Sequence, residues 1–180
     1  MENPFEKNKL AYPKDSLLGL TVYSPVVHLF VFLISFLLNI IFPIQIAKSE
    51  MLLPAGLLLL FLSSALIIWA QKSIAKFRIN ESDPSTTRTF RFGPYRFSRN
   101  PTYLGLALLT LGFSLVMNSL LMLLGTIIAF HIVSIFIVRR EEVLLHKKYG
   151  DEYVSYKSRV RPWVWFFYFL AKPWPLNANP

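Results

Sequence analysis

Of 180 residues, 54% are hydrophobic and only 16% charged, whereas a soluble domain carries about 25% charge, so the composition excludes an ordinary soluble globule. Nineteen Lys plus Arg against ten Asp plus Glu leave +9, clustered rather than spread, which fits a membrane protein with basic faces and not a nucleic-acid binder. Cysteine is absent, which removes disulfides, thiolate catalysis and thiolate metal sites together.

Three stretches, 16–47, 51–71 and 100–138, contain no Asp, Glu, Lys or Arg. A hydrocarbon core of about 30 Å takes about 20 helical residues. The first stretch therefore holds one span, about 25–47, opening near Pro25 after an apolar lead-in suited to the interface. It exceeds the roughly 7–15 residues of a signal-peptide core and starts too deep, so it is expected to be an uncleaved anchor. The second stretch is one span. Between Lys72 and Arg99, the residues Asn80, Ser82, Asp83, Pro84 and Ser85 have a loop composition, and the segment ends in the turn Phe92-Gly93-Pro94-Tyr95. The third stretch is too long for one span and is split by Met117-Asn118-Ser119. That pattern predicts a tight hairpin with spans at about 101–117 and 119–138. Gly105 and Gly112 share a face of span three and should pack against Gly125 and Ala129. His28 and His131, inside spans one and four, are expected to bond across helices beside Ser134 or Thr126.

The fourth helix should continue to Tyr149, with Gly150 at its C′ position. Asp151 would cap a further short helix holding Tyr153 and Tyr156. Residues 162–170 are apolar but too short to span, and Trp163, Trp165, Tyr168 and Trp174 suit an aromatic belt at the headgroup level. The fold class expected is a single all-α integral membrane domain over 1–180. It has about four transmembrane helices, a hairpin of spans three and four, and a cytoplasmic or interfacial segment at 139–180. Alternating sides around four spans puts 18 of 19 basic residues on one face. The positive-inside rule makes that face cytoplasmic with both termini inside, in a bacterial inner membrane.

A hairpin that crosses and returns brings both its ends to one surface. Arg99, Asn100, Tyr103, Arg139, Arg140, Glu141 and Glu142 can thus form one polar constellation at the membrane boundary. On spacing alone, the same residues also fit a set that marks where the helices leave the lipid.

Residues 93–105, then Arg139-Arg140-Glu141-Glu142, then 149–156 resemble, in order and spacing, the isoprenylcysteine carboxyl methyltransferase family. The wider group with this C-terminal pattern includes phospholipid N-methyltransferases. The resemblance covers about 80–162. It implies a membrane-embedded methyltransferase that uses S-adenosylmethionine (SAM), with a pocket made by the last two spans and the C-terminal segment. The seven glycines form no G-x-G-x-x-G, and none is expected. Carried over by position, Tyr95, Arg99, Asn100, Pro101, Tyr103 and Leu104 would line one side of the cofactor pocket, and Glu141 and Glu142 the other. Arg99 and Glu142 are the expected catalytic pair. Many members have Arg-His-Pro where this chain has Arg99-Asn100-Pro101; Asn can hydrogen-bond but cannot take a proton as imidazole can.

An Arg can pair with the SAM carboxylate and a Glu can accept from its ribose or ammonium. The Tyr103 ring, four residues after Arg99, could flank the adenine or the sulfonium. No metal is needed. The expected acceptor is amphipathic and lipid-like, with its tail in the bilayer and its head at the cytoplasmic boundary, where Arg159 and Arg161 could hold an anionic head. A carboxylate acceptor requires no base, whereas an amine does. Three alternatives remain: a phosphatidylethanolamine N-methyltransferase, an NADPH-dependent sterol-type reductase sharing an Arg-x-Pro-x-Tyr element, and a non-catalytic membrane scaffold.

Overall fold

The computed structural model describes residues 14–48, 50–81 and 90–163. The chain is all-α. Helix α1 (Lys14–Ile41) contains Pro25 in its interior, and α2 spans Leu52–Glu81. A short 3₁₀ turn, Gly93–Arg96, leads into α3 (Pro101–Val116). Then α4 (Leu120–Ile132) passes through a π turn (Val133–Ile137) into α5 (Val138–Tyr149), and α6 (Asp151–Arg159) follows. Among the described residues, three rods are long and apolar enough to cross a membrane: Ser24–Ile41, Leu52–Phe77 and Leu120–Tyr149, with α3 a shorter apolar helix of 16 residues. Their outward faces are apolar, with Phe30, Leu37, Leu58 and Phe61 exposed. Such a surface is stable only against lipid.

The first helix stops six residues earlier than expected, at Ile41. Pro43 follows, and a residue before proline is pushed out of the α region. Residues 44–47 lie instead against the hairpin turn of α3 and α4. The Leu120 N–H donates to the Ile44 carbonyl (2.9 Å), and Gln45 and Ser119 form an antiparallel bridge. Asn118, at φ 47°, accepts from the Ile46 and Ala47 N–H groups and donates to the Ala47 carbonyl (2.8 Å). Asn is among the few residues that tolerate this left-handed conformation. Ser119 caps α4 by accepting from the Met122 N–H. The hairpin is therefore present, and the α1–α2 connection shares its end of the molecule.

Four expectations need correction. The loop expected from Lys72 begins only after α2 has run ten residues past Gln71. Phe77 holds that extension by packing on Phe90, Phe92 and Tyr149. Gly105 and Gly112 do not face α4. A Cβ on Gly112 would stand 2.8 Å from Leu60, and one on Gly105 would strike Ile67, so both let α3 lie close along α2. Gly125 instead meets Ser35 of α1. The two intramembrane histidines bond within their own helices: Nδ1 of His28 to the Ser24 carbonyl (3.0 Å) and Nδ1 of His131 to the Ile127 carbonyl (2.8 Å). Finally, α6 is capped by Gly150 (φ 56°), with Asp151 one position inside, where its charge still complements the helix dipole.

Two apolar clusters result. Tyr103, Leu104, Ala107, Phe130, Val133, Ile137, Val138 and Trp163 form the inner one. Tyr153, Tyr156 and Val160, with Phe90, Leu145 and Tyr149 against them, form a second beyond the membrane ends of α3 and α4. Trp163 is buried, its ring centroid 4.8 Å from that of Phe130 at a tilt of 56°, so it is core rather than belt. The remaining belt positions, Trp165, Tyr168 and Trp174, lie outside the described residues.

Candidate active site

The start of α3 and the start of α5 meet where the hairpin closes on itself. Pro101 at N1 suits a helix start, since its missing N–H would have no partner there anyway. Arg99, just ahead, reaches across to α5: its Nη2 lies 3.0 Å from Glu142 Oε1. One turn into α3, the Tyr103 hydroxyl donates to Glu141 Oε2 at 2.8 Å. Arg99, one residue ahead of the Asn100 N-cap, and Tyr103 in the first turn of α3 thus grip two adjacent carboxylates on α5.

Glu142 has a second cation. Lys157 Nζ on α6 stands 3.1 Å from Glu142 Oε2. Sequence reasoning missed this lysine. The signal was there: Tyr153, Tyr156, Lys157 and Val160 repeat at helical spacing and share the inward face of α6. Burial raises the phenols of Tyr153 and Tyr156 far above their ordinary value, so both remain donors. Tyr156 uses its proton on the Tyr95 carbonyl (2.8 Å).

The C-terminal segment is tied to the α3 start by main-chain groups. The Arg99 N–H donates to the Arg161 carbonyl at 3.0 Å. Ser98 Oγ and Asn100 Nδ2 both donate to the Pro162 carbonyl, at 2.9 and 3.2 Å. Asn100 therefore holds chain to chain, and Ser98 is a second participant that the sequence did not flag.

Arg99 is the unusual member. Its side chain is 5% exposed, yet only Nη2 is paired; Nε and Nη1 are buried with no hydrogen-bond partner. A buried guanidinium with two idle donors is costly unless an acceptor arrives. Nη2 carries a second N–H beyond the one facing Glu142, and with Nε or Nη1 beside it forms the planar fork that matches a carboxylate.

Among the other expected residues, Tyr95 is half-buried with its hydroxyl 3.4 Å from Thr102 Oγ1. Pro101 and Leu104 are buried as packing. Arg139, Arg140, Arg159 and Arg161 are exposed. Among the described residues no cluster of His, Asp and Glu has the makings of a metal site.

The family model for phospholipid methyltransferases matches residues 51–152, more than half of the chain and all four residues of the cluster. The chain belongs to the phospholipid methyltransferase family. It is thus a membrane methyltransferase, and membership implies SAM as methyl donor. An uncharacterised protein of Haemophilus influenzae is 42% identical over 62 residues, which is 34% of this chain and 98% of that protein. No solved structure matches. Within this phospholipid methyltransferase family member, the matched region includes α2, α3, α4 and α5 in full, while α1 and most of α6 lie outside it.

Proposed function

We propose that the protein transfers a methyl group from SAM to the head of an amphipathic, lipid-like acceptor at the cytoplasmic boundary of a bacterial inner membrane, as isoprenylcysteine carboxyl methyltransferases do. The observation that carries the reading is Arg99, whose buried Nε and Nη1 have no partner beside two carboxylates and a tyrosine. One of those donors, together with the second N–H of Nη2, fits the carboxylate of a methionine-like group, and Glu141, which keeps acceptor capacity beyond its Tyr103 bond, fits an ammonium or ribose hydroxyl. When bound, SAM supplies a methyl group on a sulfonium, whose charge vanishes on transfer.

The residues have separable tasks. Arg99 anchors the carboxylate end, and Glu142 holds Arg99 in place while Lys157 balances the second carboxylate oxygen. Tyr103 orients Glu141. Tyr153, Tyr156 and Trp163 exclude water, and alignment in a dry site accelerates an in-line displacement. Both Glu142 oxygens are held by cations, Oε1 by Arg99 and Oε2 by Lys157, which favours an acceptor that arrives as a nucleophile. A carboxylate meets that condition without a base. An amine acceptor, as in phosphatidylethanolamine methylation, would draw on Glu141 instead.

The test is incubation of the purified, reconstituted protein with labelled SAM and bacterial lipid extract. Label entering base-labile esters supports carboxyl methylation, and label in base-stable amines supports the phospholipid reading. Label in neither, with no SAM binding by titration, refutes both.

A further inference from the structure

Away from the Arg99 cluster, α1 buries two polar side chains that each leave an atom without a partner. Ser24 is fully buried and its Oγ bonds nothing; His28 is 2% exposed and its Nε2 bonds nothing. The other ring nitrogen, Nδ1, lies 3.0 Å from the Ser24 carbonyl. A carbonyl only accepts, so Nδ1 carries the proton. In the neutral ring, Nε2 is then a bare acceptor. A charged ring would sit among apolar helices with no counter-ion at its level, since neither residues 16–47 nor the facing stretch 100–138 carry Asp or Glu.

Both residues lie on one stripe of α1. Positions 24, 28, 31 and 35 recur at helical spacing, and Val31 and Ser35 are the side chains nearest Gly125 of α4. The two helices are antiparallel, so each step back along α1 from Ser35 meets a step forward along α4 from Gly125. His28 is therefore level with about residue 132, and Ser24 with about residue 136, inside the π turn. Helix α1 does contact the π turn and α5. Val27 packs on the cluster that holds Tyr103, Val133 and Ile137. From those levels to Glu141 is about 8 Å along the axis for Ser24 and about 14 Å for His28. Single π turns within α-helices are frequent where a helix serves a ligand. Two idle polar atoms and a π turn thus coincide about one and a half to two and a half turns beneath the Tyr103–Glu141 pair, on the hydrocarbon side.

Polar atoms at membrane depth have partners, because no bulk water is there to supply one. A bare imidazole nitrogen can be satisfied only by a donor. The stretch 16–47 also contains no Lys or Arg to hold a phosphate or carboxylate. We propose that His28 Nε2 and Ser24 Oγ form a subsite for an N–H or O–H donor, of an amine, amide or alcohol, on the acceptor's head group. The inference rests on the reading of the protein as a methyltransferase of lipid-like acceptors, and adds where the head is gripped. Because α1 precedes the part of the chain shared with the family, the subsite is this chain's own contribution to acceptor choice.

Nitrogen-15 NMR of histidine-labelled protein tests it. The chain has three histidines, and a His131→Gln, His146→Gln background leaves only His28 visible. In nanodiscs of phosphatidylcholine, whose head has no N–H or O–H, Nε2 should resonate as a bare ring nitrogen. Adding phosphatidylethanolamine, diacylglycerol or an N-acyl amino-acid amphiphile, with no SAM present, should move it saturably for at least one of the three. Ser24→Ala should weaken that binding about tenfold. A resonance unmoved by all three donors, or one already hydrogen-bonded in phosphatidylcholine alone, overturns the subsite. His28→Gln should bind SAM as the unaltered protein does. Failure of the unaltered protein to bind SAM strikes the methyltransferase reading and leaves the NMR result to stand or fall separately.

Discussion

Replacing Arg99 by Ala removes a guanidinium that is 5% exposed, paired at 3.0 Å with Glu142, and idle at two further nitrogens. The two losses are separable. In the free protein, Glu142 keeps Lys157 at 3.1 Å, so its charge is not stranded and the fold survives. In the SAM complex, the cofactor carboxylate loses its fork. A hydrogen bond to a charged group is worth about 1.5–3 kcal/mol, so affinity should fall about 10- to 150-fold. Arg99→Lys keeps the charge but not the planar pair of donors, and should recover only part of that loss. The assay is calorimetric titration of SAM into protein in nanodiscs, with a thermal midpoint measured on each variant. An Arg99→Ala protein that binds SAM with unchanged affinity would refute the anchoring role and return the residue to a helix-end ion pair.

Reporter fusions at residues 48, 85, 118 and 180 should read out, in, out, in; an external C-terminus would overturn the orientation drawn from the basic residues. Asn100→Leu should lower stability by about 1 kcal/mol through loss of its bond to the Pro162 carbonyl, while Asn100→His, which still donates, should cost less in the same denaturation experiment. Gly112→Ala should destabilise despite alanine's better helix propensity, by about 1–3 kcal/mol, because the methyl would meet Leu60; a stabilised variant would mean that α2 and α3 separate easily. Turnover should follow the surface concentration of acceptor in the vesicle, since a tail left in the bilayer avoids about 0.8 kcal/mol per CH₂; equal specificity constants for soluble and membrane-bound acceptors would exclude lateral access.

Much of the cluster was legible because it depends on one topological fact. Met117-Asn118-Ser119 forces a return, and a return puts Arg99 and Tyr103 beside Glu141 and Glu142 whatever the detailed packing. Lys157 was only half legible: its spacing from Tyr153 puts it on their shared face of α6, but that face meets Glu142 through the way Gly150 redirects the chain, and no spacing rule fixes that angle. The glycine faces were misassigned for a related reason. Periodicity tells which residues share a face, not which neighbour that face meets, and α3 turned its small face to α2. The length of α2 was hidden by composition. Polar residues between 72 and 81 read as loop, yet Phe77 finds an aromatic partner set contributed by residues far away in sequence.

The hydrogen bonds between residues 44–47 and Asn118 give the molecule a fixed end. Helix pairs that are stapled at one extremity can rock only about that point, as the arms of tongs do, and displacement grows with distance from it. Arg99, Glu141 and Glu142 sit at the other extremity, where the lever arm is longest and the side-chain bonds of Arg99 to Glu142 and Tyr103 to Glu141 join the arms. When a ligand competes for those bonds, a small angular change between the arms opens this end while the backbone staple keeps the far one shut. Pulsed distance measurements between spin labels should give a narrow distribution between positions 44 and 120 and a broad one between 76 and 147. Equal widths at both ends would mean that the helices move as one block.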